Sequence, residues 1–451
     1  MLRSPVLLLL LLTSLNFVNY LDRYEMAAVL GPVKDDLGLS NLQAGLLATV
    51  FLSSFLLTCP IFGALGDRYP RKWLLFAGAL VWSVATFGSG LARDAGSLFF
   101  MRALVGVGEA SFTTLAPTVI DDVAPEARRA RWLAIFHIAA PVGSALGYIV
   151  GGAVSASFGW HAAFFVGGVP GLVLGGLLLL TPEAARRVTA QDELVEPPPA
   201  GLGAIAGAWQ TVRRLFGMRE YRATVLGYTA QTFAVGAFAF WAPTFLLMRF
   251  GISQVKANLT FGAVTVVAGL LATLCGGWIG DARQARAEAR ARAQARADAD
   301  APQQGSYRDN AHGESNEEAV IDGARNRALL RLSASSALPA AVLALACFLS
   351  PSATLFFVLA FLTEFAIFFS NAPINATLLR SVPPRLRARG MAYCIFTIHL
   401  LGDLWSPAFV GALADFFGDA RIQLAMLPLP IAFALGAWLW WRGARPAQGA
   451  E

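Results

Sequence analysis

The chain has 451 residues, of which 56% are hydrophobic and only 14% charged, and its mean hydropathy is +0.57. So little charge cannot solvate so much apolar surface, which excludes a soluble domain and leaves an integral membrane protein. The net charge of +6 resides mainly in loops, and no nucleic-acid partner is expected.

Long apolar runs recur about every 30 residues, the spacing of helices of roughly 20 residues that cross a bilayer and not of porin-like strands of about 10. Arg3 precedes the first run as it would in a signal peptide. No small-x-small cleavage site follows before N-F-V-N-Y-L-D-R-Y, however, and the run is read as a first span. Twelve spans are expected: 5–30, 41–66, 73–92, 97–121, 130–155, 162–181, 222–248, 256–280, 328–350, 353–379, 388–416 and 420–441. The expected fold class is therefore an all-α polytopic membrane protein. Of the 35 basic residues, 28 fall on the side of both termini and five on the other, which places both termini in the cytoplasm. The remaining two, Arg23 and Arg102, fall inside the membrane. Cys59, Cys275, Cys347 and Cys394 lie in apolar runs without metal-ligand spacing and read as packing residues.

Two signatures recur along the chain. G-A-L-G-D-R-Y-P-R-K (63–72) after span 2 has a counterpart in G-G-W-I-G-D-A-R-Q-A-R (276–286) after span 8, which aligns Asp67 with Asp281 at an offset of 214. V-A-P-E-A-R (123–128) leading to S-F-G matches V-P-P-R-L-R (382–387) leading to F-F-G at an offset of 259. The difference of 45 requires an insertion between the markers, and the long connection from Asp281 to Arg327 supplies it. The chain thus divides into a six-helix half (1–181), a cytoplasmic linker (182–221) and a second half (222–451) carrying a cytoplasmic insertion at 282–326. The insertion has no large apolar residue before Tyr307. It reads as a solvated helix giving way to disorder after Pro302. Within the linker, I-A-G-A-W-Q-T-V-R-R-L-F has the pattern of a short amphipathic helix on the membrane surface.

G-A-L-G-D-R-Y-P-R-K resembles the loop 2–3 signature of the major facilitator superfamily, R-A-L-V-G-V-G-E-A (102–110) its span-4 motif, and P-V-G-S-A-L-G-Y-I-V-G-G (141–152) its span-5 glycine motif. N-Y-L-D-R-Y, G-V-G-E-A-S and P-V-G-S-A-L-G-Y-I-V-G together resemble the spinster family of lysolipid and sphingosine-1-phosphate transporters. The likeness rests on motifs in the first half and mainly on layout in the second, where Asp281 is followed by Ala282 and Arg283 without the usual basic end. It implies the major facilitator fold with two pseudo-symmetric six-helix halves, a monomer, and a transporter working by alternating access. Asp22, Arg23 and Glu109 are the positions at which its D-R and G-E-A pattern is matched residue for residue.

The motifs also have a direct physical reading. Asp67 ends span 2 beside Arg68, Arg71 and Lys72, where charge pairing with neighbouring helix ends would lock the cytoplasmic gate; Gly63 and Gly66 belong to the same signature and Asp281 to its second copy. Gly143, Gly147 and Gly151 repeat every four residues, so one face of span 5 admits another backbone. Span 1 runs outward and places Asp22 about 25 Å from Pro5, whereas span 4 runs inward and places Arg102 about 8 Å and Glu109 about 18 Å below the outer surface. Asp22, Arg23, Arg102 and Glu109 are expected to share a cavity between these spans. Charges at such depth must pair or reach water. A carboxylate that changes arginine partners can take up and release a proton, so Asp22 and Glu109 are assigned as proton-coupling groups. Arg23 and Arg102 are assigned as their partners and as contacts for an anionic headgroup.

Further polar residues are expected to line a substrate cavity. Tyr20 neighbours the Asp-Arg pair. In span 10, Glu364 beside Phe361, Phe365, Phe368 and Phe369 would set a polar anchor against an aromatic wall, while Asn371 and Asn375 share a face. In span 11, His399 lies four residues before Asp403. His137 and His399 are read as partners in interhelical hydrogen bonds.

No G-x-x-x-x-G-K-[ST] sequence supplies an ATP-driven engine, and no H-E-x-x-H, G-x-S-x-G or paired Cys and His constellation supplies an enzyme active site. The expected function is proton-coupled secondary transport of an amphipathic, lysophospholipid- or sphingolipid-like molecule. Its partners are that substrate and the lipid bilayer, with protons as coupling ion and no other cofactor or metal. A proton-linked multidrug exporter of the same fold is the alternative. The Ala/Arg-rich composition points to a bacterial inner membrane.

Overall fold

A computed structural model describes residues 4–185, 202–300, 310–383 and 386–445. The described residues are helical, without a strand. Twelve helices are long and apolar enough to cross a membrane, one for each span expected from the sequence.

The first half comprises α1 (Pro5–Leu37), α2 (Asn41–Arg68), α3 (Arg71–Ser89), α4 (Ala95–Val123), α5 (Arg129–Phe158) and α6 (Trp160–Leu178). Their ends carry local stop and start chemistry. Gly38 closes α1 at φ 61°, and Ser40 opens α2 with a capping box shared with Gln43. Asp94 caps α4 by accepting from the Ser97 N–H. A surface helix, α7 (Leu202–Gly217), precedes the second half; its Leu215 is buried while Trp209 is exposed, as the amphipathic pattern requires.

The second half comprises α8 (Arg219–Phe250), α9 (Gln254–Asp300), α10 (Asn310–Phe348), α11 (Ala353–Phe369), α12 (Asn371–Arg380), α13 (Arg387–Ile398), α14 (Ser406–Phe417), the short α15 (Ile422–Ala425) and α16 (Pro428–Gly443). Two spans read as continuous are broken. Span 10 divides at Ser370 into α11 and α12, because the ring of Pro373 conflicts with the carbonyl four residues back, at Phe369. Span 11 divides into α13 and α14 around a π-helical turn, His399–Asp403, four residues before Pro407 for the same reason. The Trp405 indole donates to the freed Leu400 carbonyl at 2.9 Å. The Ala/Arg-rich start of the insertion continues α9 as helix to Asp300, and Arg325 of α10 pairs with Glu288 of α9 at 2.6 Å. Residues 301–309 lie outside the described residues, and the rest of the insertion beyond Pro302, expected to be disordered, is helix from Asn310 as the start of α10.

Packing repeats between the halves. In the first, α1 packs on α5 and α6, α2 on α4, and α3 on α4 and α6; in the second, α8 packs on α13 and α16, α9 on α11, and α10 on α11 and α16. The halves meet through α2 against α14 and α5 against α9, which the same correspondence exchanges. Gly159 and Gly418, 259 residues apart in the repeat, both turn the chain between consecutive spans at positive φ, 85° and 80°.

With an even number of spans, both termini lie on one face, the terminal face. The largest apolar cluster lies toward the opposite, far face and draws on both halves, from Met26, Leu30 and Trp160 to Trp241, Phe261 and Phe356. Toward the terminal face the core separates. One cluster belongs to the first half, with Leu400 and Leu404 alone from the second, and others belong to the second half.

Polar contacts between the halves follow the same division. At the far face Lys34 reaches Asp419 at 3.0 Å, Asn41 and Leu42 donate backbone N–H to Asp415 at 2.8 Å each, and Gln254 and Asn258 donate to the Ala28 carbonyl. These bonds close the molecule at the far face, while the apolar clusters toward the terminal face belong mainly to one half each.

Candidate functional site

The polar centre of the first half is built along α1. Asn16, Asn19, Asp22 and Glu25 recur every three residues and are all buried, as is Glu109 of α4. Their neighbour Arg23 donates to Glu109 through Nη2 at 2.5 Å and Nε at 3.2 Å. Arg102 of α4 is buried as well, and lies within electrostatic range of Glu109, Arg23, Asp22 and Glu25. Arg23 alone of these charged groups keeps an accessible part, 23% of its side chain.

Aromatic faces hold the two arginines. The Arg23 guanidinium lies over the rings of Tyr20 and Phe51 at 5.1 Å each and of Phe55 at 5.4 Å, and Arg102 lies over Phe51 at 4.8 Å. Phe51 thus serves both cations. The Asp22 carboxylate accepts weakly from Thr86 Oγ1 at 3.4 Å, while its other oxygen and both Glu25 oxygens have no hydrogen-bond partner among the described residues.

Glycines bring the helices this close. A Cβ on Gly143 would lie 2.5 Å from the Phe17 carbonyl oxygen, one on Gly147 2.5 Å from the Leu21 carbonyl oxygen, and one on Gly151 3.1 Å from Glu25 Cγ. The stripe expected on span 5 is therefore the seat of α1, matching it turn for turn.

The four charges read from the sequence do come together, but the cluster has a fifth member. Glu25 lies within the span expected at 5–30 and one turn beyond Asp22, so its sequence signal was the three-residue spacing D-R-Y-E. Phe51, Thr86 and Gly167 also belong to the site; only the Phe51–Phe55 spacing gave any sign of them. Arg23 and Glu109, expected as charge partner and proton-coupling group, form the close ion pair that joins spans 1 and 4.

In the second half, Glu364 is buried and accepts from Thr265 of α9 at 3.0 Å. Phe361, Phe365 and Phe369 form a ladder of tilted rings along α11, each step 6.4 Å. Phe368, on the face of Glu364, packs toward Gly269. Asn375 turns its amide back onto the Asn371 carbonyl of its own helix at 2.9 Å. His399 bonds Asp403 at 2.9 Å across the π turn, so its partner is on its own span and not on another helix. His137 is exposed against the edge of Phe136.

The loop signature builds a latch inside the first half. Arg71 donates to Thr118 at 3.1 Å and to Asp122 at 2.5 Å, both on α4, and the Arg71 and Lys72 backbone N–H groups donate to Glu183 beyond α6. Lys72 Nζ bonds the Thr181 carbonyl. Gly66 faces Leu115 where a Cβ would stand 2.3 Å from Cδ2, Gly63 lies near Thr114, and Asp67 is engaged as well. Arg68 is exposed, as is Asp281 at the corresponding place on α9.

Residues 12–292 match the model of the Major Facilitator Superfamily. Protein spinster of Drosophila melanogaster is 30% identical over 422 residues, 92% of this chain; the chain spans 62% of that protein's length. The sphingosine-1-phosphate transporter SPNS2 of Mus musculus is 32% identical over 416 residues, 89% of this chain and 68% of the mouse protein. Among solved structures, a bacterial homologue of the human lysosomal transporter spinster, in an inward-facing and unoccupied conformation, superposes with a TM-score of 0.79 at 20% identity, covering 99% of this chain and 98% of that one. At that identity the superposition speaks for the fold. The family rests on the model match and the identities: this chain belongs to the major facilitator superfamily and, within it, to the spinster family, which are membrane transporters and not enzymes.

Proposed function

We propose that the protein is a proton-coupled transporter that moves an amphipathic, lysophospholipid- or sphingolipid-like molecule by alternating access. The observation that carries this reading is the charge balance of the buried cluster. Asp22, Glu25 and Glu109 supply three carboxyls against the two guanidiniums of Arg23 and Arg102, so one bound proton makes the ionised cluster neutral. Arg23 is the accessible cation and Glu109 its partner. An anionic headgroup that draws Arg23 away leaves Glu109 buried without its counter-charge, and a proton restores neutrality. Substrate and proton binding would thereby favour each other through one arginine, which is the linkage a coupled carrier needs.

The substrate class is supported by the relative named for sphingosine-1-phosphate, which joins a phosphate to a long apolar chain. Alternating access is supported by the division of contacts: the far face is held by bonds between halves, whereas the Arg71 latch at the terminal face lies within one half. The excess of basic residues in the terminal-face loops supports a cytoplasmic terminal face; the membrane is read as a bacterial inner membrane and the working unit as a monomer. One observation favours a second reading, a proton-linked multidrug exporter. Buried Glu364 keeps one oxygen without a partner among the described residues, which would suit a cationic substrate.

The test is movement of a labelled lysophospholipid by purified protein in sealed liposomes, with and without a pH gradient, for wild type, Asp22→Asn and Glu109→Gln. Gradient-dependent transport that either substitution uncouples is expected. Transport unchanged in both variants would defeat the proton-linked reading, and failure of any lysolipid to move would favour the exporter.

A further inference from the structure

The second half carries a cleft that none of the transport chemistry uses. It has a volume of about 310 Å³ and opens at the terminal face between the start of α8, α10 and the ends of α12 and α16; Arg219, Glu220, Arg327, Ser381, Gly443 and Arg445 line it. We propose that this cleft binds the phosphate of an anionic lipid headgroup.

Its charge is one-sided. Three guanidiniums come from three separate segments, against one carboxylate. Glu220 Oε2 already accepts from Asn326 Nδ2 at 2.6 Å, which directs that oxygen toward α10. Arg219 is pinned across the cleft by a bond from Nη2 to the Arg442 carbonyl at 2.8 Å. The 32-residue α8 begins at Arg219 without a side-chain cap, so the positive end of its dipole adds to the same site. Gly443 forms the floor, where a Cβ would stand 2.4 Å from Ala223 Cβ, so α16 and α8 meet closely beneath the arginines. A phosphate fits such a set, since its oxygens accept from several guanidinium forks at once.

Depth identifies the source of the phosphate. Trp438 and Trp441 of α16 are each 51% exposed, and Arg442 lies over Trp438 at 5.1 Å. Tryptophans facing outward at a helix end mark the interface, where lipid headgroups are concentrated. A basic cleft between helix ends at that level meets lipid phosphate before any soluble anion. All lining residues belong to the second half, so occupancy braces α8, α10 and α16 together and is separable from proton coupling at α1 and α4.

The test is thermal unfolding of the detergent-solubilised full chain, titrated with short-chain phosphatidylglycerol, with short-chain phosphatidylcholine and with inorganic phosphate. Phosphatidylglycerol is expected to raise the unfolding temperature where the other two do not. Arg327→Gln and Arg445→Gln are each expected to weaken its apparent affinity about tenfold, the loss of one charge-assisted contact. Equal affinity in wild type and both variants overturns the proposal, as does phosphatidylcholine acting as well as phosphatidylglycerol. Stabilisation by inorganic phosphate with the same arginine dependence would assign the cleft to free phosphate and overturn the lipid assignment. Should Arg327→Gln fail to fold, Arg445→Gln, at an exposed position, decides alone.

Discussion

Glu25 stands one helical turn beyond Asp22 on α1, and both carboxyls converge on the same point of α6, Gly167. A Cβ there would lie 2.3 Å from Glu25 Oε2 and 2.9 Å from Asp22 Oδ1. The missing side chain is the space the two acids occupy. Gly167→Ala must therefore displace at least one of them from a packed interior, at a cost of about 1–3 kcal/mol. The expected result is a lower unfolding temperature together with altered pH dependence of transport. A variant with normal stability and a normal pH profile would show that the two acids do not need this contact.

The Arg23–Glu109 pair predicts a particular order of stabilities. Glu109 is fully buried, and removing one partner of a buried pair strands the other charge, at about 3–5 kcal/mol. Arg23→Gln is expected to be the least stable of three variants, with Glu109→Gln milder and Arg23→Gln/Glu109→Gln more stable than Arg23→Gln alone. Thermal unfolding of the four proteins gives the coupling directly. A double variant no better than Arg23→Gln would mean that the pair is not coupled.

What the sequence disclosed, and what it withheld, divides along physical lines. Spans were legible because a bilayer demands about 20 consecutive apolar residues, and the α5 glycine stripe was legible because its period of four is written in the chain. The partner of that stripe was not, since nothing in Gly143–Gly151 names α1. Glu25 was in view but hidden among apolar neighbours inside a span, and Gly167, in a helix with five glycines, carries no mark of the acids that fill its space. The breaks at Ser370 and Leu404–Trp405 had a sequence cause, Pro373 and Pro407, that a hydropathy reading passes over. Contacts such as Asn41 to Asp415, separated by 374 residues, depend on how the two halves close on each other, which local pattern does not encode.

Asp415 closes the far face by capping the first turn of α2, accepting from the Asn41 and Leu42 N–H groups at 2.8 Å each. Asp415→Asn replaces one acceptor oxygen with a donor and should weaken this closure by about 1–2 kcal/mol. A change of about 1.4 kcal/mol shifts a two-state balance tenfold, toward the form open at the far face. The check is the rate of thiol modification of Thr49→Cys, a buried position bonded to the Leu404 carbonyl at 2.6 Å, in a background without the four native cysteines. Faster modification in Asp415→Asn is expected. An unchanged rate would remove Asp415 from the gate.

Glu364 separates the two substrate classes. It is held by Thr265 through one oxygen, while the other has no partner among the described residues. Neutralisation by Glu364→Gln keeps the shape and removes the charge. If the cargo is an anionic amphiphile met by Arg23, transport should change by less than about fivefold, roughly 1 kcal/mol, because the headgroup contact lies in the other half. A cationic cargo would depend on that charge, since an uncompensated cation in the membrane interior has no other source of stabilisation at that site. Uptake of a lysophospholipid and of a lipophilic cation by the same liposomes, wild type against Glu364→Gln, gives opposite patterns for the two readings. Retention of lysophospholipid transport by Glu364→Gln is the expected outcome, whereas cation transport in the wild type that Glu364→Gln abolishes would assign the protein to drug export.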